Sequence, residues 1–310
     1  MRRAGPAARH GLLALLILTW AISWPVIKLG VASMPPLWYA FLRYAIATAV
    51  LFALVAARGE LVWPSRRDWR LILVSGTLQM AAYSALTGSA LTVLPPGRAS
   101  ILAFSTPIWV APLAAWWLRE SMSRATLAGV GFGLLGVLVI AAPSLLAGGL
   151  EHAGAYAMLI GAALAWAVTI VYVRSHRFAS SPLALAPWQM ALAAVQLWAA
   201  AAGLEGVPGR IDRTAALSLG FVGPVATAFA YWAVVEAGRH VRASTMATAL
   251  LAAPVLGLFI SAATLAESID AALLAGAALI GAGIRLATAP PAPRLVSSAA
   301  LDSSNDDSNR

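Results

Sequence analysis

Five stretches of this chain, residues 71–97, 125–150, 178–204, 214–235 and 243–266, contain no Asp, Glu, Lys or Arg. Each is long enough to cross the hydrocarbon of a bilayer, which takes roughly 20 residues of helix. A soluble domain has no place for so many such runs, because surface-to-volume scaling limits the apolar surface that a chain of this size can bury. The composition agrees: of 310 residues, 61% are hydrophobic and 11% charged, whereas soluble domains carry about 25% charged residues. An outer-membrane barrel is excluded too, since its strands alternate apolar and polar residues. The pattern predicts an all-α polytopic membrane protein.

Adding the shorter apolar runs, and breaking them at turn residues, gives ten transmembrane helices. They fall at 11–31, 37–57, 70–93, 98–118, 124–145, 154–174, 184–204, 215–237, 243–265 and 270–289. Pro35-Pro36, Pro95-Pro96-Gly97, Ser180-Ser181-Pro182 and Pro208-Gly209 mark turns between them. The first span follows Arg2, Arg3 and Arg9, as a signal peptide would. Its length of about 20 residues predicts a retained anchor, because cleaved segments are shorter. Residues 290–310 begin Pro290-Pro291-Ala292-Pro293 and end rich in Ser, Asp and Asn, which predicts a disordered cytoplasmic tail.

The net charge of +9 is a topology signal rather than a nucleic-acid footprint. With the N-terminus inside, 16 of the 21 basic residues fall on the cytoplasmic side. Lys28, Arg98, Arg210 and Arg213 fall outside, and Arg43 lies within a span. That bias predicts a multi-pass membrane protein with both termini cytoplasmic. Its surroundings are a lipid bilayer, and no nucleic-acid partner is expected.

Residues 107–137 and 254–284, compared at a shift of 147, share 10 identities in 31 positions. Pro107 meets Pro254, Glu120-Ser121 meets Glu267-Ser268, Gly129 meets Gly276 and Gly136 meets Gly283. Upstream the register drifts slightly. Arg98-Ala99-Ser100 matches Arg242-Ala243-Ser244 at 144, Pro36 with Arg43 matches Pro182 with Gln189 at 146, and Trp24 matches Trp166 at 142. The chain thus reads as two copies of a five-helix unit, 11–145 and 154–289. Five is odd, so the second copy enters the membrane from the opposite face. Inverted repeats of this kind belong to transporters that bind substrate near the midplane.

These residues carry a family resemblance. The run Trp20-Ala-Ile-Ser-Trp24-Pro25-Val-Ile-Lys28, the Pro36…Arg43 spacing, and Arg98-Ala-Ser100…Pro107…Glu120 with its second copy Arg242-Ala-Ser244…Pro254…Glu267 resemble the EamA-type branch of the drug/metabolite transporter superfamily. The resemblance covers nearly the whole chain apart from its two tails. It implies ten helices in two repeats and export of amino acids, aromatic or hydrophobic ones among them, or of similar small metabolites.

Candidate site residues follow from depth. Trp38, Trp63, Trp69, Trp116, Trp117 and Trp188 sit near span ends, where amphipathic rings anchor at the headgroups. Trp20, Trp24, Tyr83, Trp109, Trp166, Tyr231 and Trp232 sit near mid-span and are expected to bind substrate. Buried indole N–H and phenol O–H groups need partners, which a wet cavity provides, and ring faces bind apolar bodies and cationic amines. The resemblance places a cavity on the spans that carry these rings. Pro25, Pro107, Pro224 and Pro254 fall inside spans, where proline kinks a helix and frees a carbonyl. Matched interruptions in two halves point to a transporter site. Arg43, about 9 Å from the outer end of its helix, is a candidate contact for a substrate carboxylate; alternatively it pairs with a loop acid such as Glu267 or Asp270.

Other chemistry finds little footing. There is no cysteine, and His10, His152, His176 and His240 are scattered over loops and tails, so neither metal nor cofactor is expected. The acids are dispersed, and no catalytic constellation of the kind an embedded enzyme needs is visible. Channel and embedded enzyme remain the alternatives to a secondary transporter. One chain with two halves can enclose a path, so a monomer suffices. No Asp, Glu or His stands at mid-depth to relay protons, Glu236 being nearest, which predicts transport without an obligatory proton cycle.

Overall fold

The computed structural model describes residues 6–238, 246 and 249–288. The tail 290–310, the first residues of the span expected at 243–265, and Arg2, Arg3, Arg239 and Arg242 lie outside the described residues. Among the described residues the chain is helical, without strands. Eight helices are long and apolar enough to cross a membrane: α1 (Pro6–Ser33), α2 (Pro36–Ala57), α3 (Arg66–Val93), α4 (Pro96–Leu118), α5 (Arg124–Ala147), α6 (His152–Ser175), α7 (Pro182–Leu204) and α8 (Arg213–Ala237). Two shorter apolar helices follow, α9 (Ala252–Leu265) and α10 (Ala271–Ala287).

The turn residues act locally as caps. Side chains of Ser65, Ser123, Ser181, Asp212 and Asp270 accept backbone N–H bonds at the starts of α3, α5, α7, α8 and α10. Each satisfies an amide that the helix itself leaves unpaired. Pro36 and Pro96 open α2 and α4, where a missing N–H does no harm. The α4 helix closes on Arg119 at φ 56° and α9 on Ala266 at φ 54°, two left-handed residues 147 positions apart.

That register recurs in the backbone. Residues Ser75–Ala82 of α3 and Val222–Phe229 of α8 are wound as π-helix, again 147 apart. Such wide turns are uncommon and concentrate at functional sites. The α4 helix breaks at Phe104-Ser105 and restarts at Thr106, and α9 starts after a turn at Leu251, 147 residues past Phe104. Pro107 therefore differs in place from its sequence expectation. It does not kink a continuous helix but sits in the first turn of a new one, and the Thr106 hydroxyl donates to the freed carbonyl of Ala103 (3.0 Å). Pro25 does lie inside α1, and Pro224 inside the π segment of α8. Pro25 cannot donate to the Ala21 carbonyl, and Gly257 of α9 packs on that carbonyl so closely that a Cβ would sit 3.3 Å from it.

Helical hydrogen bonding runs unbroken from Arg124 to Ser175, yet this run cannot be straight. The Tyr156 hydroxyl donates to Ser144 Oγ at 3.1 Å, whereas twelve residues of straight helix span about 18 Å. Arg174, at the far end, pairs at 2.8 Å with Glu120, which precedes the start of the run. The chain therefore doubles back between Ser144 and Tyr156, a stretch containing Gly148-Gly149. Thus α5 and α6 are the two arms of a hairpin.

The closest helix contact joins α5 to α10. A Cβ on Gly129 would lie 2.6 Å from the Gly283 carbonyl oxygen, and one on Gly136 would lie 2.6 Å from that of Gly276. Residue number rises along one helix as it falls along the other, so α5 and α10 are antiparallel. The same shift of 147 exchanges the two pairs, since Gly129 matches Gly276 and Gly136 matches Gly283. Small residues let the backbones meet, which is how helices associate where burial from water contributes little.

Candidate substrate cavity

The interrupted helices surround a cavity of about 180 Å³. Trp20, Ser23, Trp24 and Ile27 of α1 form one wall, and Arg43 and Tyr44 of α2 another. The π segments contribute Gln79 and Met80 from α3, and Ala226 and Thr227 from α8. These are register partners, Gln79 with Ala226 and Met80 with Thr227, each pair 147 apart. One turn further along α3 and α8 stand Tyr83 and Tyr231, while Phe104, Trp166 and Met190 complete the enclosure from α4, α6 and α7. The wall therefore draws on both halves of the chain.

Phe104, beside the break in α4, links the rings. Its centroid lies 6.1 Å from Trp20 and 6.4 Å from both Trp24 and Trp166. Trp166 meets Tyr83 edge-on at 5.0 Å. Edge-to-face contacts set each ring's positive rim against its neighbour's negative face and fix the orientation of the wall. Arg43 Nε donates to Thr227 Oγ1 (2.7 Å), and its guanidinium lies 5.4 Å from the centre of the Tyr44 ring. Ser84 donates in turn to the Tyr44 hydroxyl (3.2 Å). The Tyr231 hydroxyl donates to Gln189 Oε1 at 3.4 Å, so the repeat partner of Arg43 stands just behind the wall.

Of the mid-depth aromatics singled out in the sequence, Trp20, Trp24, Tyr83, Trp166 and Tyr231 line the cavity, as does Arg43. Trp109 and Trp232 stand off the wall. The Trp109 indole N–H donates to Ser105 (3.2 Å), and Trp232 packs on Phe229 at 5.6 Å. Glu236 is not on the wall either. Sequence reasoning passed over Ser23, Tyr44, Gln79, Met80, Phe104 and Thr227. The repeat register could have found Met80 and Thr227 as partners, and Phe104 could have been found as the residue just ahead of Pro107.

Connections alternate between two ends of the helices, and the end that carries the α1–α2 and α3–α4 turns is closely tied. Glu205 accepts the N–H groups of Leu37 (2.9 Å) and Trp38 (3.1 Å) at the start of α2. Glu267 does the same at the start of α4, for Gly97 (2.8 Å) and Arg98 (3.0 Å). A carboxylate at a helix N-terminus is favoured by the exposed amides and the helix dipole. Lys28 donates to the Leu91 carbonyl (2.6 Å), closing α1 on the end of α3. Buried Arg98 bonds Asp270 (2.6 Å) and the carbonyl of Ile140 (3.1 Å). Glu267 and Asp270 thus serve α4, not Arg43. Burial pushes the Glu267 carboxyl above its ordinary value, against the pull of the two N–H bonds and of Arg98. Burial acts upward on Asp270 too, but the Leu273 N–H and the Arg98 guanidinium outweigh it and hold that carboxyl low. At the opposite end Glu120, the repeat partner of Glu267, makes a half-exposed pair with Arg174. Asp68 there accepts from Ala179 N–H (2.9 Å) and Ser180 (3.0 Å).

Long apolar helices packed through glycines, with interrupted segments around a polar-edged aromatic cavity, define a multi-pass membrane protein of the transporter class. The chain belongs to the EamA-like transporter family, whose profile matches residues 10–142 and again 153–289. It is similar to a probable amino-acid metabolite efflux pump of Salmonella typhimurium, with 28% identity across 89% of this chain and 93% of that one. Another relative is the aromatic amino acid exporter YddG of Ancylobacter novellus, 30% identical across 87% and 94% of the two chains. A solved crystal structure that is 25% identical matches 92% of this chain and 97% of its own with a TM-score of 0.60.

Proposed function

We propose that this protein is a secondary transporter of a bacterial inner membrane. It exports amino acids or similar small metabolites with aromatic or apolar bodies by alternating access at the midplane cavity. The observation that carries the reading is the cavity itself, walled by register-matched π segments from both halves of the chain. Irregular helix at membrane depth is tolerated where it lines a cavity, and substrate sites lie where repeats meet. The efflux and exporter names of the relatives support the same direction.

In this reading ten helices form two inverted five-helix repeats, 11–145 and 154–289, with both termini cytoplasmic. The antiparallel packing of α5 on its repeat partner α10 supports the inversion. Trp20, Trp24, Tyr83, Trp166 and Tyr231 contact substrate, while Trp109 and Trp232 brace the wall from behind. Pro25, Pro107, Pro224 and Pro254 keep the helices around the cavity able to shift. The carboxylate ties at the α1–α2 end close the outer side, so substrate enters from the cytoplasm. One chain is a complete unit. The test is counterflow in proteoliposomes: vesicles preloaded with unlabelled phenylalanine, or with a mixture of small carboxylates, should accumulate the labelled form saturably, with no pH gradient or membrane potential. Flux that is linear with concentration would point to a channel, and flux that requires a proton gradient would overturn the uncoupled scheme.

A further inference from the structure

The charge of the cavity is one-sided. Among the described residues Arg43 is the one charged side chain on its wall, and no carboxylate stands there. Nε of Arg43 is engaged by Thr227, while the two terminal nitrogens have neither hydrogen bond nor ion pair among the described residues. Arg43 is half-buried at the edge of a ring-walled cavity, and an anion delivered to its terminal nitrogens would be bound by paired N–H donors in a fixed fork. The indole N–H groups of Trp20, Trp24 and Trp166 likewise have no partner among the described residues, which adds donors but no acceptor of full charge. The carboxylates of the tied α1–α2 end are occupied elsewhere: Glu205 on α2, Glu267 on α4, Asp270 on Arg98.

A zwitterionic amino acid fits half of this arrangement. Its carboxylate can meet Arg43. Its ammonium would then face ring walls and the neutral amide of Gln79, with Arg43 close by and no counter-charge. Ring faces attract a cation, but they replace only part of the hydration that a primary ammonium gives up on entering. A molecule with the same apolar body and no ammonium avoids that loss entirely.

We propose that the cavity selects aromatic or bulky apolar monocarboxylates without a free ammonium group, such as arylalkanoates and N-acylated amino acids, over the zwitterionic amino acids of the same side chain. The inference rests on the transport reading above and narrows its substrate class.

The test uses the full-length protein in detergent micelles, with binding followed by tryptophan fluorescence and thermal unfolding. Four probes share one ring: 3-phenylpropionate, N-acetylphenylalanine, phenylalanine and 2-phenylethylamine. The two acids without ammonium should bind about tenfold or more tighter than phenylalanine, and the amine weakest of all, the scale expected for one unmatched charge. Arg43→Gln should lose acid binding by a similar factor, and Arg43→Lys should retain part of it. If Arg43→Gln does not fold, the ranking on the unmodified protein and the Arg43→Lys variant decide. Phenylalanine binding as tightly as 3-phenylpropionate, the amine binding tightest, no probe binding, or acid binding unchanged in the Arg43 variants would each overturn the proposal. Counterflow with the same probes separates the two readings. Saturable phenylalanine exchange with 3-phenylpropionate inert sinks the selectivity and leaves transport standing. Selective binding with no exchange by any probe sinks transport and leaves the selectivity.

Discussion

Phe104 shows how much can rest on one side chain. It touches Trp20, Trp24 and Trp166 at once, and it stands beside the break in α4 because Pro107 cannot continue the helix backwards. Phe104→Ala should weaken probe binding more than Trp109→Ala, whose ring is turned to Ser105. One lost ring contact is worth about 0.5–1.5 kcal/mol, so a fluorescence titration should show up to about a tenfold change. Equal effects would mean that the wall is not organised around Phe104. The mid-depth rings were legible in the sequence because Trp and Tyr in hydrocarbon need a partner, whereas Phe104 carries no polar atom and gave no such signal. Glu267 and Asp270 make a pH prediction with opposed signs. Asp270 is held below its ordinary 3.8, so its contribution to stability is full above that value and is lost as pH falls through the lowered one. Glu267 is raised above 4.5, so its contribution is full below that value and is lost as pH rises through the raised one. Thermal unfolding in detergent across this range should therefore lose its acid limb in Asp270→Asn and its upper limb in Glu267→Gln. Unchanged profiles would remove both residues from the account.

Helices meet here through what their residues lack. Gly136 and Gly276 approach so closely that a methyl group on Gly136 would lie 2.6 Å from a carbonyl oxygen, while Gly131, on the same helix, has open space. Gly136→Ala should destabilise the protein by about 1–3 kcal/mol, the usual cost of overpacking, and Gly131→Ala should do almost nothing. Thermal unfolding of the two variants in one detergent checks this, and equal midpoints would contradict the α5–α10 contact. The glycines stood out in the sequence as matches between the two copies, Gly129 with Gly276 and Gly136 with Gly283. Their packing partners did not stand out: Gly129 meets Gly283, while Gly133 makes room for Ile108. That assignment needs the third dimension. The π segments were not legible either. A shift from i−4 to i−5 hydrogen bonding leaves hydropathy unchanged, and only one of the two segments carries a proline, Pro224. The joined α5–α6 run was expected as two separate spans, 124–145 and 154–174, where the chain instead bends within continuous helical bonding.

At the scale of the molecule, the two halves follow one register in sequence and in backbone irregularity. The proposed inversion makes a direct topological prediction: reporter fusions after Ala147 should read outside and fusions after Ser175 inside. The reverse pattern, or the same side for both, would rule out the assignment. A single-site cavity with access that alternates makes a stronger demand, and the absence of any native cysteine allows it to be tested without background labelling. Ile27 and Val234 both line the cavity, Ile27 on the side of the tied α1–α2 end and Val234 near the opposite end of α8. Ile27→Cys and Val234→Cys would each be probed in sealed vesicles with a membrane-impermeant thiol reagent applied from one side at a time. With the outer end closed, Val234→Cys should label from the cytoplasmic side and Ile27→Cys should be protected from outside. Saturating transported solute should change the two rates in opposite directions. Labelling of both positions from their own sides at once, unaffected by solute, would describe an open pore and contradict the transporter account.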